Sequence, residues 1–270
     1  MIGIVILNYN TWNETIQCIQ SIDKHYTQQE VKVYVVDNMS PQKPCSDQSE
    51  FFNVRKDITL INATANKGYS AGNNLGIKAA LEDKCDYIVV SNSDILFVDR
   101  TLVTMQAFFE TNESTGIIGP HVYDTQNQFQ SFHMLTKLTA WGKIKNMCLH
   151  TPFGFLFKKF KNEFICDHQL DKPLKVFGVS GCCFMMSRDC AEYLYPLDER
   201  TFLYEEEYII GAILENSKYS VFVIPNTYVI HAQGVSTGKI SKFSYNCLIE
   251  SEQLYLKEYL HTNIVMRYVI

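Results

Sequence analysis

Three short apolar runs in the first part of the chain each stop at a cluster of amides and acids, and that repetition most constrains the fold. Ile2–Leu7 ends in Asn8-Tyr9-Asn10, Val31–Val36 in Asp37-Asn38-Met39-Ser40, and Tyr87–Ser91 in Asn92-Ser93-Asp94. Continuous β-branched runs of this length suit strands buried on both faces. Between them lie segments of helical spacing: Ile16, Ile19 and Ile22 in Thr15–Ile22, then Leu75, Ile77, Ala79, Ala80 and Leu81 in a helix over 70–83. Ile58–Ile61 adds a short strand, Leu102–Phe109 a helix and Gly116–Gly119 another strand. Alternation of this kind gives an α/β class, with a mostly parallel sheet flanked by helices on both faces. The second half is less regular. Val176–Met186 reads as one long strand, Glu206–Leu214 as a helix, Val221–Ile224 as a strand, and about Tyr245 to Tyr259 as a final helix.

In a parallel sheet, ligands bind beyond the carboxyl ends of the strands. Caps and turns account for any one polar cluster, because Asn, Asp and Ser favour both. Three clusters in the same register are better explained by a ligand rich in hydrogen-bonding groups. No GxGxxG follows the first strand and no GxxxxGK[ST] occurs, which argues against a Rossmann dinucleotide site and a P-loop. The glycine-rich stretch is Asn66-Lys67-Gly68-Tyr69-Ser70-Ala71-Gly72-Asn73-Asn74, where a ligand could approach the backbone and the following helix's free amides. Asp94, at the mouth of a buried strand, is placed to hold a divalent cation on a phosphate, a task that usually takes one or two carboxylates.

Two features of the second half join this set. Glu205-Glu206-Glu207 opens a helix, where acids ordinarily complement the dipole. Packing like charges side by side raises the pKa of one of them, which suits a general base. His231 precedes Gly234-Val235-Ser236-Thr237-Gly238-Lys239, a small-residue loop suited to phosphate contact or to completing a metal shell.

Composition narrows the partners. The net charge of −5 argues against a nucleic-acid partner. Nine scattered cysteines with no CxxC pair suit reduced thiols in the cytoplasm. The apolar N-terminus is too short for a membrane span and lacks a basic leader.

Taken together, Ile6-Leu7-Asn8-Tyr9-Asn10, Val35-Val36-Asp37-Asn38-Met39-Ser40, the glycine-rich stretch, Gly119-Pro120-His121-Val122-Tyr123-Asp124, the segment Leu197 to Glu207, and His231 with Ser236-Thr237-Gly238 resemble the family 2 glycosyltransferases of GT-A fold, especially the bacterial rhamnosyltransferase-like branch. The likeness runs from Ile4 to about Lys257. It implies an inverting, single-displacement transfer from a nucleotide sugar, dTDP-rhamnose or a UDP-hexose, to a glycan or lipid-linked glycan in cell-surface polysaccharide synthesis. Asn8, Asn10 and Asp37 would hold base and ribose, with Asn38, Asn66, Gly68, Gly72, Asn73 and Asn92 completing the donor site. Asp94, with His231, would bind Mg²⁺ or Mn²⁺, and the base would be Glu207, with Glu206 close behind. The implied partition is a catalytic domain over 1–238 and a C-terminal helical extension over 239–270. The nucleotide-binding half of that domain would cover about 1–120 and the acceptor half about 121–238.

Two departures stand out. The family's metal motif is often Asp-x-Asp, but here reads Asn92-Ser93-Asp94, and Glu207 replaces the usual Asp. They motivate a rival reading, a catalytically inactive nucleotide-sugar-binding protein of the same fold. A nucleotidyltransferase would need a richer glycine-lysine loop near the N-terminus. Finally, residues 140–164 interleave Trp141, Lys143, Lys145, Phe153, Phe155, Phe157, Lys158, Lys159, Phe160, Lys161 and Phe164. This composition suits either contact with anionic lipid on the inner face of the cell membrane or an acceptor loop packed on the domain.

Overall fold

In a computed structural model, residues 1–27, 30–130, 133–149, 171–232, 241–264 and 267 are described. The first half alternates as its periodicity requires: β1 (Ile2–Asn8), α1 (Trp12–Asp23), β2 (Val31–Asp37), α2 (Ser46–Asn53), β3 (Ile58–Asn62), α3 (Tyr69–Glu82) and β4 (Tyr87–Asn92). There follow β5 (Ile95–Phe97), α4 (Thr101–Thr111), β6 (Thr115–Asp124), β7 (Phe129–Gln130) and α5 (Ala140–Leu149). The remainder comprises β8 (Leu174–Val176), β9 (Cys183–Ser187), α6 (Arg188–Leu194), α7 (Glu206–Leu214), β10 (Ser220–His231) and α8 (Lys242–Leu254), which passes into a π-helical turn, Tyr255–Tyr259.

Among the described residues the strands form one sheet in the order β3-β2-β1-β4-β9-β6-β10-β5, with β7 on β6 and β8 on β10. β3, β2, β1 and β4 are parallel neighbours. Their register sets Asn8 opposite Asp37, Asp37 opposite Asn62, and Leu7 opposite Asn92, so the polar clusters share one edge. β9 then enters antiparallel between β4 and β6. β10 runs parallel to β6 and antiparallel to β5, which brings His231 opposite Ile95.

The continuous apolar runs reflect burial of both sheet faces. Ile4 and Ile6 of β1 pack with Ile19, Ile22, Leu102 and Met105 from α1 and α4. Val5, on the other face, packs with Ile77 and Ala80 of α3. That helix lies so close to β1 that a Cβ on Gly72 would stand 2.5 Å from Leu7 Cδ1. A smaller cluster of Met134, Leu138, Tyr208, Ile209 and Tyr255 holds α7 to the C-terminal helices.

Three readings need correction. Val176–Met186 is two strands, β8 and β9, joined by irregular backbone that contains Gly178, Ser180 and Gly181. Its apolar character comes from burial, since Val179 and Cys182 are as enclosed in the connection as strand residues are. Val221–Ile224 is only the start of β10, which continues through Pro225 because a register shift between Val223 and Tyr228 absorbs the proline. Lys143 is not part of an exposed basic face, for its side chain is buried. Trp141 is exposed. Residues 150–164 and the loop Gly234 to Lys239, with the boundary at 238/239, lie outside the described residues.

Candidate active site

Asn8 is buried at the end of β1, and its amide is satisfied within the protein. Nδ2 donates to Ser40 Oγ at 3.2 Å and Asp37 Oδ1 at 3.4 Å, while Oδ1 accepts from Thr11 and Thr15. Asp37 also accepts from the Ser40 N–H at 3.0 Å and from Lys43 Nζ at 3.2 Å. Asn10 adopts a left-handed φ of 58° and accepts from the Gln42 N–H at 3.1 Å. These bonds lock the β1 and β2 ends together and shape the rim of the cleft.

The glycine-rich turn packs directly against them. Asn38 Nδ2 donates to Asn66 Oδ1 and to the Gly68 carbonyl, each at 3.1 Å. Asn73 Nδ2 donates to the Tyr69 carbonyl at 3.1 Å. The buried Oδ1 atoms of Asn38 and Asn73 have no hydrogen-bond partner among the described residues. A buried acceptor left unmade costs about 1–3 kcal/mol, so a ligand N–H or O–H arriving there would recover it. Gly68 sits at φ +99° with the Phe202 carbonyl so close that a Cβ would lie 2.3 Å from it. The Tyr69 N–H donates to that same carbonyl at 2.8 Å, which fastens the glycine-rich turn to the segment leading into the acids.

Asp94 and His231 meet across the sheet. Asp94 Oδ2 lies 3.1 Å from His231 Nε2, the Ala232 N–H donates to the Asp94 carbonyl at 2.7 Å, and His231 Nδ1 lies 3.3 Å from Gln130 Oε1. Metal–ligand bonds of about 2.0–2.2 Å let one cation touch a carboxylate oxygen and an imidazole nitrogen at this separation. Among the described residues no group of three or more His, Cys, Asp or Glu converges. Asp94 and His231 are the side chains of this site that would hold a divalent ion, which would supply positive charge to a bound phosphate. Gln130, which orients the imidazole, carried no signal in the sequence, because β7 has only two residues.

Tyr204 and Glu205 both take left-handed φ values, 74° and 67°, just before α7. Two consecutive non-glycine residues in this region are strained, and such strain collects at functional sites. The turn sends Glu206 and Glu207 to the wall of a cavity of about 400 Å³, also lined by Tyr69, Asn92, Gly181 and His231. Glu207 Oε1 accepts from the Gly181 N–H at 2.9 Å. Burial holds Glu206 above the ordinary carboxylate range, and the neighbouring Glu207 adds to the effect. Burial raises Glu207 too, with backbone N–H groups, Gly181's among them, pulling in the opposite direction. The structure thus brings together on one cavity four side chains chosen from distant parts of the sequence: Asn92, Glu206, Glu207 and His231. Gly181 was legible only as part of a misread strand.

The family model for glycosyl transferase family 2 matches residues 3–194. The chain belongs to that family. A protein from Mycobacterium tuberculosis, an N-acetylglucosaminyl-diphospho-decaprenol L-rhamnosyltransferase, is 23% identical over 225 residues, covering 79% of this chain and 70% of its own. Solved glycosyltransferases share the GT-A fold. GalNAc-T7 with UDP, GalNAc and Mn²⁺ superimposes with a TM-score of 0.68 at 12% identity, covering 96% of this chain, which spans about half of GalNAc-T7 (48%). The mannosyltransferase PcManGT from Pyrobaculum calidifontis, in complex with GDP-Man and Mn²⁺, gives 0.57 at 13% identity, covering 96% of this chain and 62% of its own. Staphylococcus aureus TarS 1-349 gives 0.56 at 12% identity, with 95% and 72% covered. The general reaction of this family 2 chain is glycosyl transfer.

Proposed function

We propose that the chain transfers a sugar with inversion from a nucleotide-sugar donor, dTDP-rhamnose or a UDP-hexose, to a glycan or lipid-linked glycan acceptor. The observation that carries this reading is that the Glu206–Glu207 pair and His231, the partner of Asp94, open onto one cavity. In a single displacement the acceptor hydroxyl oxygen bonds to the anomeric carbon as the bond to the diphosphate breaks. The hydroxyl proton passes to a carboxylate, and the bonding pair leaves with the nucleoside diphosphate. Glu207 is the proposed base, held on the cavity wall by Gly181, with Glu206 beside it.

The orphan acceptors of Asn38 and Asn73 support a nucleotide seat between β2 and α3, with Asn8, Asn10, Asp37, Asn66, Gly68, Gly72 and Asn92 shaping it. Asp94 and His231 would bind Mg²⁺ or Mn²⁺, whose charge would neutralise the leaving diphosphate. Relatives supply the analogy: the mycobacterial protein is named a rhamnosyltransferase acting on a diphospho-decaprenol sugar, and two GT-A neighbours carry Mn²⁺. A lipid-linked acceptor would suit a peripheral seat on the inner face of the membrane, near the exposed Trp141. No described helix is long and apolar enough to cross a membrane. The inactive alternative rests on the single acid of Asn92-Ser93-Asp94 and on Glu207 in place of Asp; His231 beside Asp94 and the Gly181 bond that fixes the longer Glu207 side chain both favour activity. Release of nucleoside diphosphate from a panel of dTDP-, UDP- and GDP-sugars with Mn²⁺ tests the reading. Turnover with one donor, lost in Asp94→Ala, is expected; no turnover with any donor, or full activity in Asp94→Ala, overturns it.

A further inference from the structure

Behind the acid pair lies a buried charge cluster that the transfer chemistry does not use directly. Lys143 on α5 is 5% exposed, and its Nζ lies 3.0 Å from Glu205 Oε1 and 2.7 Å from Glu252 Oε1 on α8. Tyr208 and Tyr255 cover the ammonium, with ring centroids at 6.0 and 5.6 Å. One lysine thus joins α5, the residue that opens α7, and the C-terminal helix. The same turn is gripped a second time from α8, where Ser251 Oγ donates to the Leu203 carbonyl at 2.7 Å.

A buried ion cluster is weak evidence for stability, because removing charges from water offsets most of their attraction. Its position explains more. Glu205 is one of the two residues held in the left-handed region, and its peptide leads directly into Glu206 and Glu207. A turn of this kind persists only where its surroundings over-determine it. Contacts that do so are the Lys143 ion pair on the Glu205 side chain, the Ser251 bond on the Leu203 carbonyl, the Ile209 N–H on the Glu205 carbonyl at 2.9 Å and the Tyr69 N–H on the Phe202 carbonyl; of these, the ion pair alone grips a side chain of the turn's two left-handed residues.

We infer that Lys143 is a positioning residue for the general base. Its ammonium clamps Glu205 against α5 and α8, and so fixes the strained turn that aims Glu206 and Glu207 into the cavity. The inference rests on the reading of Glu207 as base. It also gives the C-terminal helix a part in the reaction, since Glu252 completes the clamp from α8. Tyr69 of α3, Cys182 of the β8–β9 connection, Tyr204 and Glu205 of the turn and His231 of β10 are the titratable groups around the acid pair, and Lys143 of α5 and Glu252 of α8 lie behind it on Glu205.

The test compares Glu205→Ala, which breaks the clamp but leaves Lys143 paired with Glu252, with Glu205→Gln, whose amide oxygen can still accept from Lys143. Turnover is read as nucleoside diphosphate release from dTDP-rhamnose and UDP-glucose with Mn²⁺. A misplaced catalytic group can lose on the order of a hundredfold in rate, so Glu205→Ala should lose about tenfold to a hundredfold in kcat, with UDP binding changed less than about twofold. Glu205→Gln should recover most of kcat, with the acid limb of its pH profile moved to lower pH because one negative neighbour is gone. Carbon-13 titration of the Glu206 and Glu207 carboxyls should show the same downward move without any donor. If folded Glu205→Ala has the wild-type kcat and both variants keep wild-type carboxyl titration, the clamp is overturned. Glu207→Gln keeps the two readings distinct: full activity there overturns the base assignment, whereas an inactive Glu207→Gln beside unaffected Glu205 variants overturns the clamp alone.

Discussion

A carboxylate serving as the proposed general base is a stronger base when held above its ordinary range, and burial holds Glu206 and Glu207 there. That arrangement has a cost in stability with a definite sign. As pH rises past the ordinary glutamate value of about 4.3, the unfolded chain releases protons that the folded pair retains. Stability therefore falls as pH rises, until the folded groups ionise as well. Glu206→Gln removes part of that penalty. Its melting temperature should exceed the wild-type value at pH 8 and converge with it toward pH 4, measured by scanning calorimetry. Two melting curves that stay parallel from pH 4 to pH 8 would show that Glu206 ionises freely in the folded chain. The sequence made the acid pair legible through its motif, but not its setting. Nothing local marks Gly181 as the donor to Glu207, or Lys143 as the partner of Glu205, because both contacts join segments distant along the chain.

The elements that were legible are those whose two faces are both buried. β1 and β4 appear as apolar runs, β2 as one interrupted only by Lys32, and α1 and α3 as helical spacings, within a few residues of their observed ends. The misread segments fail for one reason: apolar character reports burial and not conformation. The connection from Phe177 to Cys182 is apolar because Phe177 and Val179 pack into the core, and β10 outlasts its own proline because a bulge realigns it with β6. The glycine-rich turn is a clearer case, where the sequence marked a close backbone approach without revealing what approached. Phe202 does, and this makes Gly68 a joint between the ends of β1 and β2 and the acid segment. Gly68→Ala should lose about 1–3 kcal/mol of stability, the usual scale for a residue forced into a sparsely populated conformation. Urea unfolding with an unchanged midpoint would refute that tight joint.

At the scale of the whole molecule, the proposed metal-binding pair depends on strand order. Asp94 follows β4 and His231 ends β10, and they meet only because β9 inserts antiparallel, β6 and β10 run parallel, and β5 folds back on β10. Periodicity announces parallel neighbours, but it does not announce an antiparallel insertion between them, which is why the first half of the sheet was readable and the second was not. If Asp94 and His231 hold the cation as proposed, donor and cation binding are interdependent. A diphosphate near Asp94 meets a carboxylate and no described lysine or arginine paired with it, so the nucleotide should bind weakly until a divalent ion joins the two anions. A ligand at one hundred times its Kd stabilises the folded state by about 2.7 kcal/mol. For a chain of this size that is a rise of roughly 5–10 °C in Tm. UDP or dTDP with Mn²⁺ should produce that rise in the wild-type chain, and either nucleotide alone should produce little of it. Asp94→Ala and His231→Ala should each remove most of the Mn²⁺-dependent part, while leaving the Tm without ligand close to wild type. An equal shift with EDTA and with Mn²⁺ would mean that the cleft holds the diphosphate without a cation, and that the Asp94–His231 contact is an ion pair closing the sheet edge.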